Sequence, residues 1–549
     1  MAPHGQNVDK RKNIVIVGAG AAGMSCAATL ANHPDNFKVT VIERMPYCGG
    51  QATSISLDKK KYGTSWMNDG VQGGSPAFKH TGHFMEKYGH LWQEVRLQVG
   101  FGKGEDNFWT NVFPTHLVEK HQKDIRKFGK VLKLIKYLMP VLGLVPIKYM
   151  LKLFLFNKDF GDKMVIPLIA LFLGTGNQTP NVACAILERL FDDPNMRLWN
   201  YDEGMLLPNL PEMVTFPKLR DFYQDWQGDL ESKGVKFRLN TDVTKIISRD
   251  SKGVVLQTRP FDATLNEQGR KFAPQVIHDP RGGWTGPPSD PESYDELVMC
   301  VLADAALKIL GGTASLRERF VLGGAAFFDD ITITHSDNVY FDKIYEPHFE
   351  ASLAAQPRSK AEEEHLAFAK GEVATNASGE PSGYRPMYFT HSYNEAGEPQ
   401  KIEMSFDVTN YQHQFRMDHG ADVPPIPYER HVFQSIFLDK RNADLWTMPE
   451  IDPSKVIESK WWHQLGHRWQ HYLRVVPGMM WLNGKRRTWF AGSWTLVNMH
   501  EIACVSGIAA AYRLGADYEV FDDYAEDLFK KYLLLSHGVR YKRGKRKQT

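Results

Sequence analysis

The N-terminal region alternates between strand and helix patterns. Residues 13–18 (NIVIVG) form a short β-branched apolar run closed by glycine, which predicts a strand buried on both faces. Residues 21–32 combine small and apolar side chains and predict a helix packed closely on a sheet. Residues 38–43 (KVTVIE) predict a second strand, so residues 13–51 are interpreted as a parallel βαβ unit.

Farther along the chain the pattern changes twice. Residues 80–200 have mostly helical patterns with aromatic-rich connections and predict a cap that covers another part of the protein. From residue 234 strand patterns return, and residues 294–310 predict a strand followed by a helix. Residues 266–293 are rich in Gly, Pro and Asp and predict a long surface loop.

Strands predicted at 330–335 and 401–406 belong to a second domain. The predicted fold class is α/β, with a Rossmann-like nucleotide-binding domain, a discontinuous mixed-sheet substrate domain and a helical cap. The predicted boundaries are 1–79, 211–312 and 476–530 for three parts of the nucleotide-binding domain, 80–210 for the cap, 313–475 for the substrate domain and 531–549 for a basic tail.

Composition and charge place the chain among globular proteins without a bulk charge bias. Its 549 residues are 42% hydrophobic, which suits two or three domains with large cores. With 66 basic and 64 acidic residues the net charge is +2, so no nucleic-acid partner is expected. Residues 540–547 form a basic run, interpreted as a solvated terminus, with contact to an anionic membrane as the less favoured alternative.

Cysteine use and apolar runs bear on the cellular setting. Five scattered cysteines without a CxxC pair indicate a reducing compartment and no zinc site. Residues 1–12 are polar, so no secretory signal is predicted and a cytoplasmic location is expected. Lysines and prolines interrupt the apolar residues 131–156, whereas a transmembrane span needs about 20 largely uncharged residues. Ordinary helix packing is favoured there; the alternative is an amphipathic helix that lies on a membrane or covers a substrate entrance.

The first strand-to-helix turn has the sequence of a dinucleotide-binding loop. Residues 18–23 (GAGAAG) match GxGxxG, follow a strand, open a helix and precede an acidic residue, Glu43, at the end of the second strand. Gly18 would permit the tight turn, Gly20 the approach of a pyrophosphate, and Gly23 close helix–strand packing. Glu43 would accept hydrogen bonds from a ribose diol, so FAD or NAD is expected rather than NADP.

Further segments resemble, in the same order along the chain, one superfamily of FAD enzymes. Residues 43–51 (ERMPYCGGQ) resemble the ER…GG(R) continuation of the flavin amine oxidase and phytoene desaturase superfamily, with Gln51 at the usual arginine position. Residues 67–72 resemble the segment beside the flavin ring, and residues 236–246 resemble the strand that contacts adenine. Residues 294–310 resemble the strand and helix that close the FAD domain.

Residues 488–515 are similar to the C-terminal FAD motif of this superfamily, and the His500–Glu501 pair resembles its poorly characterised FAD/NAD-binding oxidoreductase subgroup. The resemblance implies that the chain returns to its first domain and that a helix starting near Glu501 points at the flavin pyrimidine, where it would stabilise the charge of reduced flavin. It also implies FAD as cofactor, with contacts, besides the turn glycines and Glu43, at Ala19, Ala22, Arg44, Gly50, Gln51, Gly70, Val71, Gln72, Val243, Gly492, Glu501 and Ile502.

His500 and His335 are the candidate catalytic residues. Beside a flavin, His500 could transfer a proton because imidazole titrates near neutrality; the equally weighted alternative is that it orients the ring or caps the helix. His335 and His391 follow predicted strands and could face a substrate, although such histidines are more often structural. Glu501 is interpreted as a cofactor or helix-start residue, since a carboxylate is favoured at a helix N-terminus without any catalytic role.

Two other features have plainer interpretations. His463, His467 and His471 recur every four residues, which predicts one face of an amphipathic interface helix. No carboxylate or cysteine lies among them, so no metal site is predicted. Cys504 suggests a covalent flavin link but is interpreted as a buried helix residue.

The leading functional hypothesis is an FAD-dependent oxidoreductase, whether oxidase, dehydrogenase or desaturase, that takes hydride from a small organic substrate, with secondary metabolism as a setting consistent with the resemblance. The first alternative is a flavin-dependent isomerase of an unsaturated lipid-like substrate, in which hydride returns to the same molecule. The second is a non-catalytic flavin-binding protein associated with a membrane or a partner. The sequence leaves the oligomeric state open.

Overall fold

The computed structural model of the chain describes residues 10–264, 283–373, 382–393, 401–417 and 425–542. Residues 266–282 of the predicted loop and residues 543–549 of the predicted basic tail lie outside the described residues. Residues 531–537, which were predicted as part of the tail, instead belong to the helix Asp523–His537. The part of the loop that is described contains two short strands, Gly283–Trp284 and Glu292–Tyr294. The loop interpretation is therefore wrong for these strands, which pair with a longer strand beside them.

The regular elements follow one another in this order. The strands are β1 Lys12–Val17, β2 Phe37–Ile42, β3 Ser54–Ser56, β4 Trp66–Asn68, β5 Gly73–Gly74, β6 Gln93–Arg96, β7 Val99–Phe101, β8 Trp109–Thr110, β9 Glu212–Thr215, β10 Lys236–Arg238, β11 Thr241–Asp250, β12 Gly253–Asp262, β13 Gly283–Trp284, β14 Glu292–Tyr294, β15 Glu296–Met299, β16 Phe327–His335, β17 Tyr388–Tyr393, β18 Lys401–Asp407, β19 Phe433–Leu438, β20 Val456–Leu465 and β21 Thr488–Phe490. The α-helices are α1 Ala21–Ala31, α2 Lys59–Tyr62, α3 Lys79–Lys87, α4 His116–Lys120, α5 Gln122–Tyr137, α6 Met139–Leu142, α7 Ile147–Leu153, α8 Lys158–Phe160, α9 Ile166–Leu173, α10 Ala185–Phe191, α11 Leu219–Ser232, α12 Ala303–Leu310, α13 Leu316–Leu322, α14 Asn338–Ile344, α15 Lys360–Lys370, α16 Val408–Tyr411, α17 Gln414–Met417, α18 Val476–Leu482, α19 His500–Leu514 and α20 Asp523–His537. Across the described ranges, no helix is both long enough and apolar enough to span a membrane.

A five-stranded parallel sheet holds the N-terminal unit together. Its strand order is β10–β2–β1–β15–β21. In the middle of the sheet, Ile14 of β1 lies opposite Val39 on one side and Glu296 on the other. β1 is apolar on both faces because both faces are covered, and residues Ile14–Val17 are buried. The predicted βαβ unit at residues 13–51 and the strand and helix predicted at 294–310 are confirmed.

Small residues let α1 and α19 pack almost backbone to backbone on this sheet. A Cβ atom added to Gly507 of α19 would lie 2.0 Å from the carbonyl oxygen of Ala22 in α1. The Ser25 hydroxyl of α1 donates to the carbonyl oxygen of Cys504 at 3.0 Å. Cys504 is fully buried, as predicted, in the helix. The C-terminal segment therefore returns to the N-terminal unit, and the helix expected near Glu501 begins at His500.

Besides the parallel sheet, the described residues form two larger sheets and two small ones, β3–β4 and β5–β9–β6. β11, β12, β13 and β14 form an antiparallel sheet, and a seven-stranded sheet has the order β20–β16–β19–β18–β17–β7–β8. Helices α3–α10 fill most of the predicted cap, but β6, β7 and β8 also come from it, and β7 and β8 extend the large sheet. These strands have only two to four residues, too few for a period of two to stand out in the sequence.

The two faces of the seven-stranded sheet differ in what covers them. Ile331 and Ile333 of β16 pack with Phe433 and with Tyr340 and Phe341 of α14. The alternate residues of β16, Asp330, Thr332 and Thr334, point to the opposite face. On that face Gln434 of β19 lies opposite Thr334, and Trp462 of β20 lies opposite Asp330. We call the face that carries Asp330, Thr332 and Thr334 the β16 inner face.

The helix predicted from the histidine spacing is wrong. His463 lies in strand β20 opposite Asp329, and His467 has a left-handed backbone with φ +48°. His471 begins a π-helical turn. The cause is the pairing of β20 with β16 over nine residue pairs, which includes the β-favouring Trp461 and Trp462 and outweighs the helical spacing of the histidines.

Candidate cofactor and substrate site

The turn between β1 and α1 is shaped by its three glycines. Gly18 has φ +103°, and a Cβ there would lie 2.6 Å from the carbonyl oxygen of Cys300. A Cβ on Gly23 would lie 1.9 Å from the carbonyl oxygen of Gly18, so helix and strand are in closest contact here. No atom lies within 4 Å of a Cβ added to Gly20. The turn thus leaves open space at the one glycine that was expected to face a pyrophosphate.

Glu43 lies at the carboxyl end of β2, beside this turn. The backbone N–H of Ala19 donates to Glu43 Oε2 at 2.7 Å, and that of Met45 donates to Oε1 at 2.9 Å. Burial raises the pKa of Glu43, although both of these hydrogen bonds act to lower it. Each carboxylate oxygen keeps a second lone pair, so hydroxyl groups of a ribose could still be bound.

The strand that was expected to contact adenine begins next to Glu43. The backbone N–H of Thr241 donates to the carbonyl oxygen of Glu43 at 3.0 Å. Two residues later, Val243 is buried in β11. The guanidinium of Arg44 lies over the ring of Phe261, 5.7 Å from its centroid. These contacts bring Glu43, Arg44 and Val243 to one end of the parallel sheet.

The double-glycine segment crosses the GxGxxG turn. The N–H of Gly49 donates to the carbonyl oxygen of Ala19 at 2.9 Å. A Cβ on Gly50 would lie 3.4 Å from Gly20 Cα. Past this crossing, the carbonyl oxygen of Gln51 would lie 2.2 Å from a Cβ on Gly70. The two glycine segments and the segment of residues 67–72 are therefore in direct contact.

Residues 70–72 connect this site to the β16 inner face. Trp462 of β20 would lie 3.0 Å from a Cβ on Gly70. Gln72 donates to Gln434 Oε1 at 2.5 Å and accepts from Gln412 at 3.0 Å. Val71 between them is partly buried. The β16 inner face is thus the face of the large sheet that meets the segment expected to run beside a flavin.

A buried ion pair anchors the start of the same segment. Asp69, directly before Gly70, pairs with Lys460 of β20, and both side chains are under one-tenth exposed. Asp69 also accepts a hydrogen bond from the Thr53 hydroxyl at 2.7 Å. Such a pair fixes the register of two segments, because breaking it would leave a buried charge uncompensated.

The C-terminal segment reaches this region at Gly492. The N–H of Gly492 donates to the Ser506 hydroxyl at 2.8 Å, and its φ of +146° suits glycine. Asn498 donates to Gln464 Oε1 of β20 at 3.0 Å, which ties the entry of α19 to the large sheet. Ile502, in the first turn of α19, is fully buried.

Glu501 is used by the protein itself. Its carboxylate accepts hydrogen bonds from the backbone N–H groups of His80 and Thr81, at 3.0 and 2.8 Å. These are N–H groups of the first turn of α3, whose N-cap residue, Phe78, has no side-chain acceptor. Glu501 therefore acts as the missing cap of α3, a role in keeping with a carboxylate at a helix N-terminus.

His500 is held by hydroxyl groups at both ring nitrogens. Nδ1 lies 3.0 Å from the Thr81 hydroxyl, and Nε2 lies 2.7 Å from the Tyr223 hydroxyl. Burial lowers the pKa of His500 to about 4, with a smaller opposing effect of Glu501. A neutral imidazole in this position has one donor and one acceptor, and both are satisfied.

His335 and His391 do not reach the β16 inner face. His335 lies opposite Phe433, on the side of the sheet that α14 covers, and its Nε2 lies 3.0 Å from the Ser435 hydroxyl. Burial lowers its pKa to about 3. His391 lies opposite Glu403, and so on the same side as His335. The structure thus separates both histidines from the segment at residues 70–72.

Sequence reasoning missed the partners that hold these residues. Thr81, Tyr223 and Lys460 belong to no motif in the sequence. Asp330, on the β16 inner face, is completely buried, and neither of its carboxylate oxygens has a hydrogen-bond partner. The sequence indicated the burial of Asp330 only through its position, as a charged residue in a predicted strand. Among the residues with described positions, no group of three His, Cys, Asp or Glu side chains could hold a metal ion.

Comparison with known proteins identifies the fold. Residues 16–89 match the family described as the NAD(P)-binding Rossmann-like domain. The crystal structure of a fatty acid isomerase that produces CLA, from P. acnes, is similar over 92% of this chain and 99% of that one, with 13% identity and a TM-score of 0.55. The chain therefore shares its fold with this solved structure over nearly the whole length of both.

Two amine oxidases share this fold at similar distance. Wild-type putrescine oxidase bound to putrescine matches over 92% of this chain and 99% of its own, with 12% identity and a TM-score of 0.53. Cyclohexylamine oxidase from Brevibacterium oxydans IH-35A matches over 94% and 99%, with 11% identity and a TM-score of 0.51. No curated protein matches by sequence. The α/β fold class with a Rossmann-like domain, predicted above from the strand and helix patterns, is confirmed.

Proposed function

We propose that the protein is an FAD-dependent oxidoreductase that takes hydride from a small organic substrate. One observation carries the proposal. β1 and β21 are parallel strands of one sheet, and the helices that follow them, α1 and α19, cross so closely that a Cβ on Gly507 would meet the Ala22 carbonyl at 2.0 Å. Two helix N-termini therefore lie at one sheet edge, where nucleotides bind in open α/β sheets. An extended flavin dinucleotide can contact both helix N-termini, whereas a nucleotide bound by a single βαβ unit would contact only one.

The residues present fit such a cofactor. The open space at Gly20, next to Gly50, suits a diphosphate that approaches the backbone and the N-terminus of α1. Glu43 would bind a ribose diol, with Arg44 and Val243 toward the adenine end. Gln51 and residues 70–72 would lie along the middle of the molecule. Gly492 and Ile502, near the N-terminus of α19, would face the ring, where the helix end favours negative charge.

When bound, FAD would supply a two-electron acceptor for a hydride leaving a substrate C–H bond. The β16 inner face is the surface of the chain that would hold the substrate and exclude water. We assign His500 a positioning role, because Thr81 and Tyr223 occupy both ring nitrogens and fix the start of α19. The proton released from the substrate must then pass to solvent. The pair of electrons must pass to oxygen or another acceptor.

The proposal includes three substrate classes to test. Two of the proteins with this fold are named as oxidases of putrescine and cyclohexylamine, so amines are one group to test. Alcohols and polyene-like lipids are the others, with tailoring of a secondary metabolite in the cytoplasm as the proposed setting. His335 is not retained as a catalytic residue in this proposal, since it lies on the far side of the large sheet.

The test is anaerobic bleaching of the flavin. Purified protein should show the absorbance bands of bound oxidised flavin, and a member of an amine, alcohol and unsaturated-lipid panel should bleach them in the absence of oxygen. Admission of oxygen or an artificial acceptor should restore the bands. Protein that has no flavin spectrum and takes up no added FAD would refute the proposal.

A flavin-dependent isomerase is the second candidate, because the fatty acid isomerase named above shares the fold over nearly its whole length. In that reaction hydride leaves and returns to the same substrate, so no acceptor is consumed. Sustained anaerobic turnover of an unsaturated fatty acid without any acceptor would support it and would replace net oxidation. Bound FAD that no candidate substrate reduces would instead favour a non-catalytic flavin-binding protein.

A further inference from the structure

An apolar surface stands out on the cap, at the helices α5, α6 and α7. Among the described residues, twenty large apolar side chains are exposed, and seven of these lie within residues 134–155. Soluble monomers rarely gather such side chains on one surface, whereas scattered ones are ordinary. We call this surface the α5–α7 face; its members are Leu134, Tyr137, Leu138, Val141, Tyr149, Leu153 and Leu155.

The α5–α7 face is not an unused core face. Helix α5 already buries Ile125, Phe128 and Ile135 against the protein. Helix α7 likewise buries Ile147 and Met150. The exposed apolar side chains therefore lie on the other sides of helices whose inward faces are complete.

The helices that carry this face lie next to each other. Lys127 of α5 donates to the carbonyl oxygen of Leu155, just after α7, at 3.0 Å. The ammonium group of Lys127 also lies 4.8 Å from the centroid of the Phe156 ring. Because α6 joins the far end of α5 to the start of α7, the chain turns back and brings Leu155, after the end of α7, beside the first half of α5.

Positive charge surrounds the apolar side chains. Residues 123–158 contain nine Lys or Arg and a single acidic residue, Asp124, although the whole chain has a net charge of only +2. Lys130, Lys133 and Lys152 are exposed within the face. Exposed apolar groups interleaved with lysines match the two layers of a membrane surface, acyl chains below and anionic headgroups above.

Leu155 is the residue that folding explains least. It follows α7 with a left-handed φ of +51°, a position where glycine is favoured, and its side chain is 83% exposed. The turn itself is made by the backbone, since the N–H of Phe156 donates to the carbonyl oxygen of Leu151 at 3.0 Å. A leucine here is strained and gains little from packing within the chain, so folding does not account for it.

We propose that the α5–α7 face docks the protein on the surface of an anionic lipid bilayer. The apolar side chains enter the boundary between headgroups and acyl chains, and the lysines bind lipid phosphates and carboxylates. The helices lie along the surface. This inference stands on the face alone and does not depend on the proposed oxidoreductase activity.

The test is co-sedimentation of the full chain with vesicles. Binding to vesicles of phosphatidylcholine with phosphatidylserine should exceed binding to phosphatidylcholine alone by about tenfold or more and should weaken at high salt, as expected for several lysines near the surface. Equal binding to both vesicle types, or none to either, would overturn the proposal.

Leu155→Gly separates docking from folding. Glycine relieves the left-handed strain, so the melting temperature of the Leu155→Gly variant should stay the same or rise. The double variant Leu153→Gln, Leu155→Gly should bind vesicles about tenfold more weakly than the wild type. The matched control is Leu316→Gln, because Leu316 is 87% exposed but belongs to α13; it should bind as the wild type does. Unchanged binding of the double variant would count against the face.

Two alternatives to membrane docking through the α5–α7 face make distinct predictions. If a second copy of the chain covers the α5–α7 face, sedimentation velocity should reveal a concentration-dependent dimer that the Leu153→Gln, Leu155→Gly variant no longer forms, and vesicle binding should be absent. If the basic terminus is responsible, deletion of residues 543–549 should abolish vesicle binding. Either result would overturn the proposal; vesicle binding that survives the deletion supports it.

Discussion

Glu501 and His80 form a fully buried pair that joins α19 to α3. Glu501 Oε1 lies 2.6 Å from His80 Nδ1 and 3.0 Å from the His80 backbone nitrogen. Burial favours the neutral acid, but the charge of His80 and the hydrogen bonds from His80 and Thr81 outweigh it, and the pKa of Glu501 is lowered. The Glu501 carboxylate, in the first turn of the helix expected to face the flavin, is therefore hydrogen-bonded to α3.

Replacing Glu501 should therefore test an architectural role. Glu501→Ala would leave the two N–H groups of α3 without an acceptor, and we expect a loss of about 2–4 kcal/mol in unfolding free energy. The measurement is urea unfolding followed by circular dichroism. Exposed Glu519, replaced by Gln, is the control and should have little effect. A fully stable Glu501→Ala protein with reduced FAD affinity would instead mean direct cofactor contact.

This pair also has a predicted pH dependence. The folded-state pKa of Glu501 is depressed, so its stabilisation is present above the unfolded-state value of about 4.3 and is lost as pH falls through the folded value. The difference in stability between wild type and Glu501→Ala should accordingly shrink in acid. A difference that is constant from neutral pH into acid would argue against an ionised Glu501.

The sequence alone predicted those parts of the site that are written in short, local patterns. The strand, turn and helix around Gly18 and Gly23 were predicted because the GxGxxG pattern and its flanking apolar runs are local. The close contact of Gly23 with Gly18 is also local, whereas the contact that requires glycine at position 18 comes from distant Cys300. The contact of Glu501 with His80 joins positions 421 residues apart and follows no period, so no local pattern could indicate it. His335 was expected near the substrate, but its side depends on strand register, and a shift of one residue reverses the face.

Substitution of Gly20 tests the proposed diphosphate site. Gly20 has an ordinary φ of −72°, and no protein atom would meet an added Cβ, so Gly20→Val should fold with a nearly unchanged melting temperature. The new side chain would fill the space assigned to the diphosphate, and bound flavin per protein should fall at least about tenfold. Gly312→Val, at a similarly open glycine away from the turn, is the matched control and should keep its flavin. Undiminished flavin in Gly20→Val would contradict the assignment.

Asp330 offers a stability test on the β16 inner face. It is completely buried, and neither carboxylate oxygen has a hydrogen-bond partner. Burial raises the pKa of Asp330 well above its usual range. Asp330→Asn removes the ionisable group and should stabilise the protein at neutral pH by about 1–3 kcal/mol. The exposed Asp444, replaced by Asn, is the control for a change of net charge.

The sign of the Asp330 effect with pH follows from its raised pKa. The carboxyl group favours the folded state fully below the unfolded-state value of about 3.9, and this contribution is lost as pH rises toward the folded value. The gain from Asp330→Asn should therefore be small near pH 4 and larger at pH 8, as measured by thermal unfolding at both. A destabilised Asp330→Asn protein would mean that the carboxylate is ionised and bound.

His463 should give the large sheet a pH-dependent link to helix α12. Its Nδ1 lies 2.7 Å from Asp329 of β16, and its Nε2 lies 2.8 Å from Asp304 of α12. Burial opposes protonation, but the hydrogen bonds and charges of Asp304 and Asp329 outweigh it, so the pKa of His463 is raised. Its contribution is fully present below the unfolded-state value of about 6.5 and is lost as pH rises through the folded value.

Melting temperatures measured from pH 5.5 to 8.5, in steps of about half a unit, would detect this link across the range where histidine titrates. Wild-type protein should lose stability toward the alkaline end relative to His463→Gln, by no more than about 1 kcal/mol because the imidazole is about one-third exposed and screened by solvent. Asp329→Asn, which removes one partner and keeps the imidazole, should reduce the same slope in part. Asp329 belongs to strand β16 and Asp304 to helix α12. A slope that neither change alters would therefore mean that His463 is neutral and that packing alone joins the large sheet to α12.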